Sequence, residues 1–279
     1  MINCGIIGFG KMGEIRAEAL LKCGQATVAS VYEPASPPLP PKARQADSPD
    51  EIIADKQIDA VFICTPNDSN QALTIQALKA GKHVFCEKPP AFDAAGVEAV
   101  RAAEAKSSRK LMYGFNHRHH DSIKSMKQIV EQGTMGRILW MRGRYGKEVD
   151  ESFFKGWRAD SKRAGGGILI DQGIHMLDLM MHLGGDFDEV QAMVSNLYWK
   201  NCDIEDNAFV NLRSSTSGIC ASLHSTMTQW GYLFSLEVSL EHGSLALNGL
   251  KTSSGAYGEE TLTIREQKNK LHLLWKKKK

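Results

Sequence analysis

The chain has 279 residues, 42% of them apolar, enough for one large or two ordinary globular domains with real cores. Its formal charge of +2 sets 34 basic against 32 acidic residues, and four of the basic ones are the terminal run Lys276 to Lys279. A general nucleic-acid binder carries its positive excess on the folded body, so that class is disfavoured. No apolar run reaches the ~18 residues of a membrane span, and the N-terminus enters a strand pattern without a basic region and cleavage site. A soluble cytoplasmic protein is expected. Cys4, Cys23, Cys64, Cys86, Cys202 and Cys220 are scattered without a C-x-x-C pair, which fits buried, reduced thiols.

Over residues 1–115 short apolar runs alternate with helical patterns, the signature of a parallel sheet with crossover helices. Strands are predicted at Asn3 to Ile7, Thr27 to Tyr32, Asp59 to Cys64, His83 to Cys86 and Lys110 to Phe115. Ser48-Pro49-Asp50-Glu51 reads as a capping box with proline at the first helical position, and Gly81 ends a helix that begins near Asp68. One crossover is abnormal. Five prolines between Pro34 and Pro41 leave no room for a full helix before Ser48, so an exposed loop is expected there, with at most a weak edge strand.

From Ile138 onward the pattern turns to alternation, in ILWMRGRY, VQAMVSNLYW, NAFVNLR, ICASLHSTM and LFSLEVSLE, which predicts a mostly antiparallel sheet. One helix interrupts it, starting after Gly165-Gly166-Gly167 and reading ILIDQGIHMLDLMMHLGG. The organisation expected is therefore an α/β chain of two domains. Residues 1–116 are expected to form a doubly wound parallel sheet, and residues 117–279 an α+β domain with an open sheet.

Gly8-Phe9-Gly10-Lys11-Met12-Gly13 is G-x-G-x-x-G, and it lies between a predicted strand and a predicted helix, where its amides can meet a pyrophosphate. Glu33 follows Gly13 by 20 residues at the end of the second strand, where a carboxylate accepts hydrogen bonds from an adenosine ribose. This favours NAD over NADP, although Lys42 and Arg44 in the proline loop can in principle reach a 2′-phosphate. Thr65-Pro66-Asn67 and Glu87-Lys88-Pro89 both follow strands, at the carboxyl edge where ligands bind on such sheets. Lys88 reads either as a group aimed at that ligand or as a surface lysine paired with Glu87.

In the later helix Asp171, His175 and Asp178 are spaced i, i+4 and i+7 and share one face among apolar positions. Three readings stand: a catalytic set, a satisfied core pair, or metal ligands with His182 added. His117, His119 and His120 read as a polar loop, with metal binding as the lesser alternative.

The combination GFGKMG, ICTPN, CEKPP and GGGILIDQGIHMLDL, in that order, resembles the glucose-fructose oxidoreductase, inositol dehydrogenase and MocA family, over residues 1 to about 265. The resemblance implies a Rossmann-type domain followed by an open-sheet domain, and oxidation or reduction of sugars, cyclitols or nucleotide-linked sugars. It places Lys88 on the catalytic lysine of the EKP motif, and Asp171 and His175 on the D-x-G-x-H motif. Trp157-Arg158 resembles a W-R element that meets cofactor or substrate, and Asn116 a polar residue after the last strand of the first domain. The implied chemistry is hydride transfer, with His175 taking the hydroxyl proton, Lys88 stabilising charge on the oxygen and Asp171 orienting a neighbouring hydroxyl. A histidine suits this because its unperturbed pKa is about 6.5.

Two departures stand out: the proline loop after Glu33, and a C-terminus that ends in REQKNKLHLLWKKKK where relatives run on, so a shortened end is expected. The expected function is an NAD(P)-dependent sugar or cyclitol dehydrogenase or reductase, with a homodimer or homotetramer implied by relatives and an uncovered sheet face. The alternatives are a glycosidase using bound NAD for transient oxidation and a non-catalytic nucleotide sensor. Specificity is expected from Asn116, Arg118, Arg158, Gln172 and residues of the second sheet, and no metal, nucleic acid or membrane is expected as partner.

Overall fold

The computed structural model describes residues 1–252 and 254–267, so the lysine run at the C-terminus lies outside the described residues. The chain separates into two compact units, one of Met1–Phe115 with Asp160–Gly165, the other of Asn116–Ala159 with the remainder from Gly166.

In the first unit the elements run β1 (Ile2–Ile7), α1 (Lys11–Cys23), β2 (Ala26–Tyr32), β3 (Arg44–Gln45), α2 (Pro49–Ala54), β4 (Ala60–Ile63), α3 (Asn70–Lys79), β5 (His83–Cys86), α4 (Ala94–Ala105) and β6 (Leu111–Tyr113). The strands form one sheet in the order β3-β2-β1-β4-β5-β6, every pair parallel. The order reverses beside β1, so β1 and β4 leave a crevice at their carboxyl ends. Ile6, Phe9, Ala17, Val28 and Val31 pack one cluster, and Ile7, Ile52, Val61, Ile63 and Val84 a second. The proline segment carries only the two-residue edge strand β3, as its composition requires. Ser48 caps α2 by accepting the Glu51 N–H.

The second unit holds α5 (Asp121–Gln132), β7 (Ile138–Glu148), α7 (Ile174–Gly184), β8 (Glu189–Ser195), β9 (Asn207–Arg213), β10 (Cys220–Thr226), β11 (Thr228–Leu240), β12 (Gly243–Asn248) and β13 (Thr261–Glu266), while the short α6 (Ser161–Ala164) belongs to the first. Its strands form a sheet in the order β13-β12-β11-β7-β10-β9-β8, antiparallel except where β10 runs parallel to β7. Helix α5 lies ahead of the alternating runs, in a stretch for which no element is predicted above. Its signal is the spacing of Ile123, Met126, Ile129 and Val130, which lines one helical face against the core of the second unit.

Candidate functional site

The glycine turn between β1 and α1 has three glycines with three different tasks. Gly8 has φ +87°, and a Cβ there would lie 2.7 Å from the Cys64 carbonyl group at the end of β4. A side chain at Gly13 would strike the Gly8 carbonyl oxygen, so helix and turn can pack only without it. A Cβ at Gly10 would meet no other described residue within 4 Å, which leaves the backbone open to a ligand at the start of α1, where no side chain caps the helix. Lys11 and Met12 form the first turn of that helix. Phe9 is buried, and its N–H donates to Oε2 of Glu33 at 2.7 Å. That bond sets the carboxylate beside the turn, at the end of β2. Tight turn, open backbone and ribose-side acid together fit a dinucleotide.

Thr65, Pro66 and Asn67 follow β4, and Glu87 and Lys88 follow β5, at the same carboxyl edge of the sheet. Asn67 is buried and donates through Nδ2 to the Ala164 carbonyl at 2.8 Å, tying α6 into this unit. Glu87 does not form a simple surface pair with its neighbour. It is buried, its Oε1 lies 2.6 Å from Arg16 Nη2 and accepts from Arg16 Nε at 2.8 Å, and a side chain at Gly114 would meet its carboxylate at 2.6 Å. Lys88 is half-buried and joins Pro89 by a cis peptide bond. Around this edge burial pushes the thiols up, that of Cys86 to about 12 and that of Cys64 further, which favours their neutral form.

In the second unit the site grows from the glycine run. Glu205 accepts the N–H groups of Gly167 at 2.6 Å and Leu169 at 2.9 Å, satisfying donors at a helix start. The helix then opens as a π-helical turn, Leu169–Gly173, before continuing as α7. Such wide turns recur at functional sites because they displace side chains from the regular helical ladder. Asp171 and Gln172 lie in this turn, and His175 and Asp178 in the first turns of α7.

Each of these groups is held. Asp171 Oδ2 accepts from Lys147 Nζ at 2.5 Å, and Arg158 Nε stands 3.5 Å from its other oxygen. Lys147 is buried, with its ammonium 4.4 Å from the Phe153 ring centre, and the Arg158 guanidinium lies 4.4 Å over Trp157. Gln172 Nε2 donates to the Tyr257 hydroxyl at 2.7 Å. Asp178 is engaged by Arg118 through Nε at 2.8 Å and through Nη2, so these two form a buried-to-surface fork. The Asp178 partner raises the Arg118 guanidinium above its ordinary value.

His175 is buried and stacks on His117, ring centres 4.0 Å apart and planes 12° from parallel. His117 Nδ1 lies 3.2 Å from Asn116 Oδ1, and its Nε2 2.9 Å from the Tyr145 hydroxyl. An amide oxygen only accepts, so the Nδ1–H donates to Asn116, while Nε2 and the Tyr145 hydroxyl share the second hydrogen bond. Tyr145 in turn packs edge-on against Tyr257, and burial pushes both phenols up. Asp171 thus stands in the π-helical turn and His175 in the first turn of α7, while Lys147, His117, Tyr145 and Tyr257 carry no such signal in the sequence. Lys147 sits in an alternating strand, and His117 in what reads as a polar loop.

Residues 2–115 match the family model described as "Oxidoreductase family, NAD-binding Rossmann fold", and residues 123–246 the model described as "GFO/IDH/MocA C-terminal domain". Among curated relatives, myo-inositol 2-dehydrogenase of Thermotoga maritima is 28% identical over 270 residues, covering 93% of this chain and 79% of the relative. Levoglucosan dehydrogenase of Pseudarthrobacter phenanthrenivorans is 32% identical over 210 residues, covering 70% of this chain and about half, 54%, of the relative. Among solved structures, levoglucosan dehydrogenase in complex with NADH and L-sorbose superposes with a TM-score of 0.82 at 25% identity, over 95% of this chain and 80% of that one. The WlbA dehydrogenase from Bordetella pertussis, in complex with NADH and UDP-GlcNAcA, shares the fold with a TM-score of 0.84 at 21% identity, over 98% and 80% of the two chains.

Proposed function

Because this chain belongs to the GFO/IDH/MocA family of oxidoreductases, with an NAD-binding Rossmann fold, we propose that it oxidises a secondary alcohol, or reduces the ketone, of a sugar, nucleotide sugar or cyclitol. We take residues 1–116 as the cofactor-binding domain and 117–279 as the domain for substrate and subunit contacts. Bound NAD supplies the hydride acceptor. The glycine turn, Glu33, Thr65 to Asn67, Glu87 and Lys88 form its binding edge, with Trp157 and Arg158 assigned to the same task.

His175 accepts the hydroxyl proton as the carbon gives up its hydride, Lys88 steadies the charge growing on that oxygen, and Asp171 holds a neighbouring hydroxyl. Asn116, Arg118, Arg158 and Gln172 complete the substrate contacts. The observation that carries this reading is the setting of His175. It is a buried imidazole on a helix opened by a π-helical turn, faced by a second imidazole whose two nitrogens are both engaged. An aspartate tied to a buried lysine stands in the same opening turn. A pure nucleotide sensor has no need of this set.

The exposed side of the second sheet carries Trp140, Phe209 and Met193, each more than 40% exposed, and we assign it to contact with a second copy. Six free cysteines support a cytoplasmic setting. Among the described residues no helix is long and apolar enough to cross a membrane.

The test is a panel of inositols, free hexoses, anhydrosugars and nucleotide sugars, each offered with NAD and followed by NADH formation. Net reduction with one class confirms a dehydrogenase. Bond cleavage of a glycoside without net reduction would instead establish the transient-oxidation glycosidase.

A further inference from the structure

The lysine turn after β5 is held from below by a residue that neither the family motifs nor the sequence reading brought forward. Asn70, the first residue of α3, is completely buried. Its amide Nδ2 donates to the Glu87 carbonyl at 3.2 Å and to the Pro89 carbonyl at 3.0 Å. These are the two carbonyls on either side of Lys88. The other end of the same amide, Oδ1, lies 3.4 Å from the Thr65 hydroxyl at the end of β4. One planar group therefore links the carboxyl end of β4, the start of α3 and both flanks of the lysine.

The rest of the turn is fixed in the same direction. The Glu87 N–H donates to Ile63 O at 2.9 Å, continuing the ladder of β4 and β5 past the end of the strands. The Glu87 side chain is drawn down onto Arg16, whose guanidinium also lies 4.8 Å from the Phe85 ring centre. A side-chain amide with both hydrogens spent on the carbonyls flanking one residue leaves that residue little freedom of its own backbone. In a buried site those bonds cannot be exchanged for water.

We propose that Asn70 is the positioning residue of the Lys88 turn, and that it acts on chemistry through Lys88 alone. The proposal rests on the catalytic reading of Lys88 given above. A lysine has a long flexible stem, so its ammonium is placed only as well as the backbone beneath it. A shift of about 1 Å in a reacting group costs on the order of a hundredfold in rate.

Asn70→Leu removes both donors at similar volume. Asn70→His returns one, since a ring N–H can reach one of the two carbonyls. The first readout needs no substrate: trace acetylation of lysines in the full chain with NADH present, resolved by peptide mass spectrometry. Lys88 labelling in Asn70→Leu should change several-fold, about three or more, with Asn70→His between it and the parent, while Lys79 labelling and NADH affinity stay within about twofold. The second readout is turnover in Lys88→Met, Asn70→Leu and the double variant. If Asn70 works through Lys88, Asn70→Leu costs about tenfold or more alone and adds nothing in the Lys88→Met background.

Unchanged Lys88 labelling in folded Asn70→Leu, or an equal loss in both backgrounds, overturns the proposal and leaves a purely structural asparagine. Near-parental turnover in Lys88→Met overturns the reading of Lys88 itself, which is a different result. Should Asn70→Leu fail to fold, Asn70→His decides alone: Lys88 labelling that shifts while Lys79 does not supports positioning, and labelling of both at the parental rate refutes it.

Discussion

His117 lies face to face with His175, their ring centres 4.0 Å apart, and both nitrogens of His117 are engaged, by Asn116 and Tyr145. Two stacked imidazoles repel when both are charged, so a proton on one ring disfavours a proton on the other, and His117 is the platform against which His175 works. His117→Ala removes this platform and leaves the buried Tyr145 hydroxyl without that partner. Turnover should fall roughly tenfold to a hundredfold, with a stability loss of about 1–3 kcal/mol, while NADH still binds. His117→Phe, which keeps the stacking face, should lose less turnover. Steady-state kinetics beside thermal melts check both, and unchanged kcat in His117→Ala would contradict the pairing.

Lys88→Met and His175→Ala should each lower turnover by about 10² to 10⁴, the usual cost of losing one positioned charge or proton-transfer group. NADH should still bind to both variants, with His175→Ala the less affected because Lys88 also belongs to the cofactor edge. Their combination should be little worse than either, since one proton and one charge are shared. Turnover of all three variants with the best substrate of the panel decides this, and near-parental activity of Lys88→Met is the result that removes it from catalysis.

Glu33 stands beside the glycine turn as acceptor of the Phe9 N–H, so a 2′-phosphate there would meet a carboxylate. NADH should bind more tightly than NADPH. In Glu33→Ala the preference should narrow by about tenfold, or ~1.4 kcal/mol. Calorimetric titration of both cofactors measures it, and NADPH binding more tightly than NADH in the parent chain overturns the role of Glu33.

Glu260 anchors the segment that carries Tyr257. Burial opposes its ionisation, but hydrogen bonds from Ser122, the Lys251 N–H and His120 outweigh that and bring its carboxyl down from the ordinary 4.5 to about 2. A folded value below the unfolded one means the stabilisation is fully present above about pH 4.5 and is lost as pH falls through about 2. Glu260→Gln should destabilise the protein at neutral pH by up to roughly 3 kcal/mol. The gap between variant and parent should close across that acid window. Urea unfolding at a series of pH values tests it, and a gap independent of pH would show that the carboxylate charge is not what matters.

The outer side of the second sheet aligns Arg144, His224, Phe209 and Met193 across four neighbouring strands, with Phe209 and His224 stacked at 4.0 Å. If this side packs against another copy, sedimentation at micromolar concentration should show a dimer or tetramer. Met193→Asp with Phe209→Asp should yield monomer whose thermal unfolding is otherwise cooperative. A monomeric parent chain would count against the assignment.

What could be read from the sequence was whatever depends on local pattern. Strand periodicity, the G-x-G-x-x-G turn, the proline run that forbids a helix before Ser48, and the i, i+4 placement of Asp171 and His175 are consequences of nearby residues. Their physical causes, backbone sterics and side-chain direction, act over a few positions. The tertiary structure alone decided the rest. Lys147 reaches Asp171 across 24 residues, His117 meets His175 across 58, and Asn70 spans the flanks of Lys88 from another element. None of these pairings has a sequence period, because each is set by the register of strands and the packing of helices on them. A single polar residue in an alternating run looks the same whether it faces water or a buried partner. Glu87 shows the difference most directly: in sequence it is the natural partner of Lys88 beside it, and in the fold its carboxylate is turned inward to Arg16.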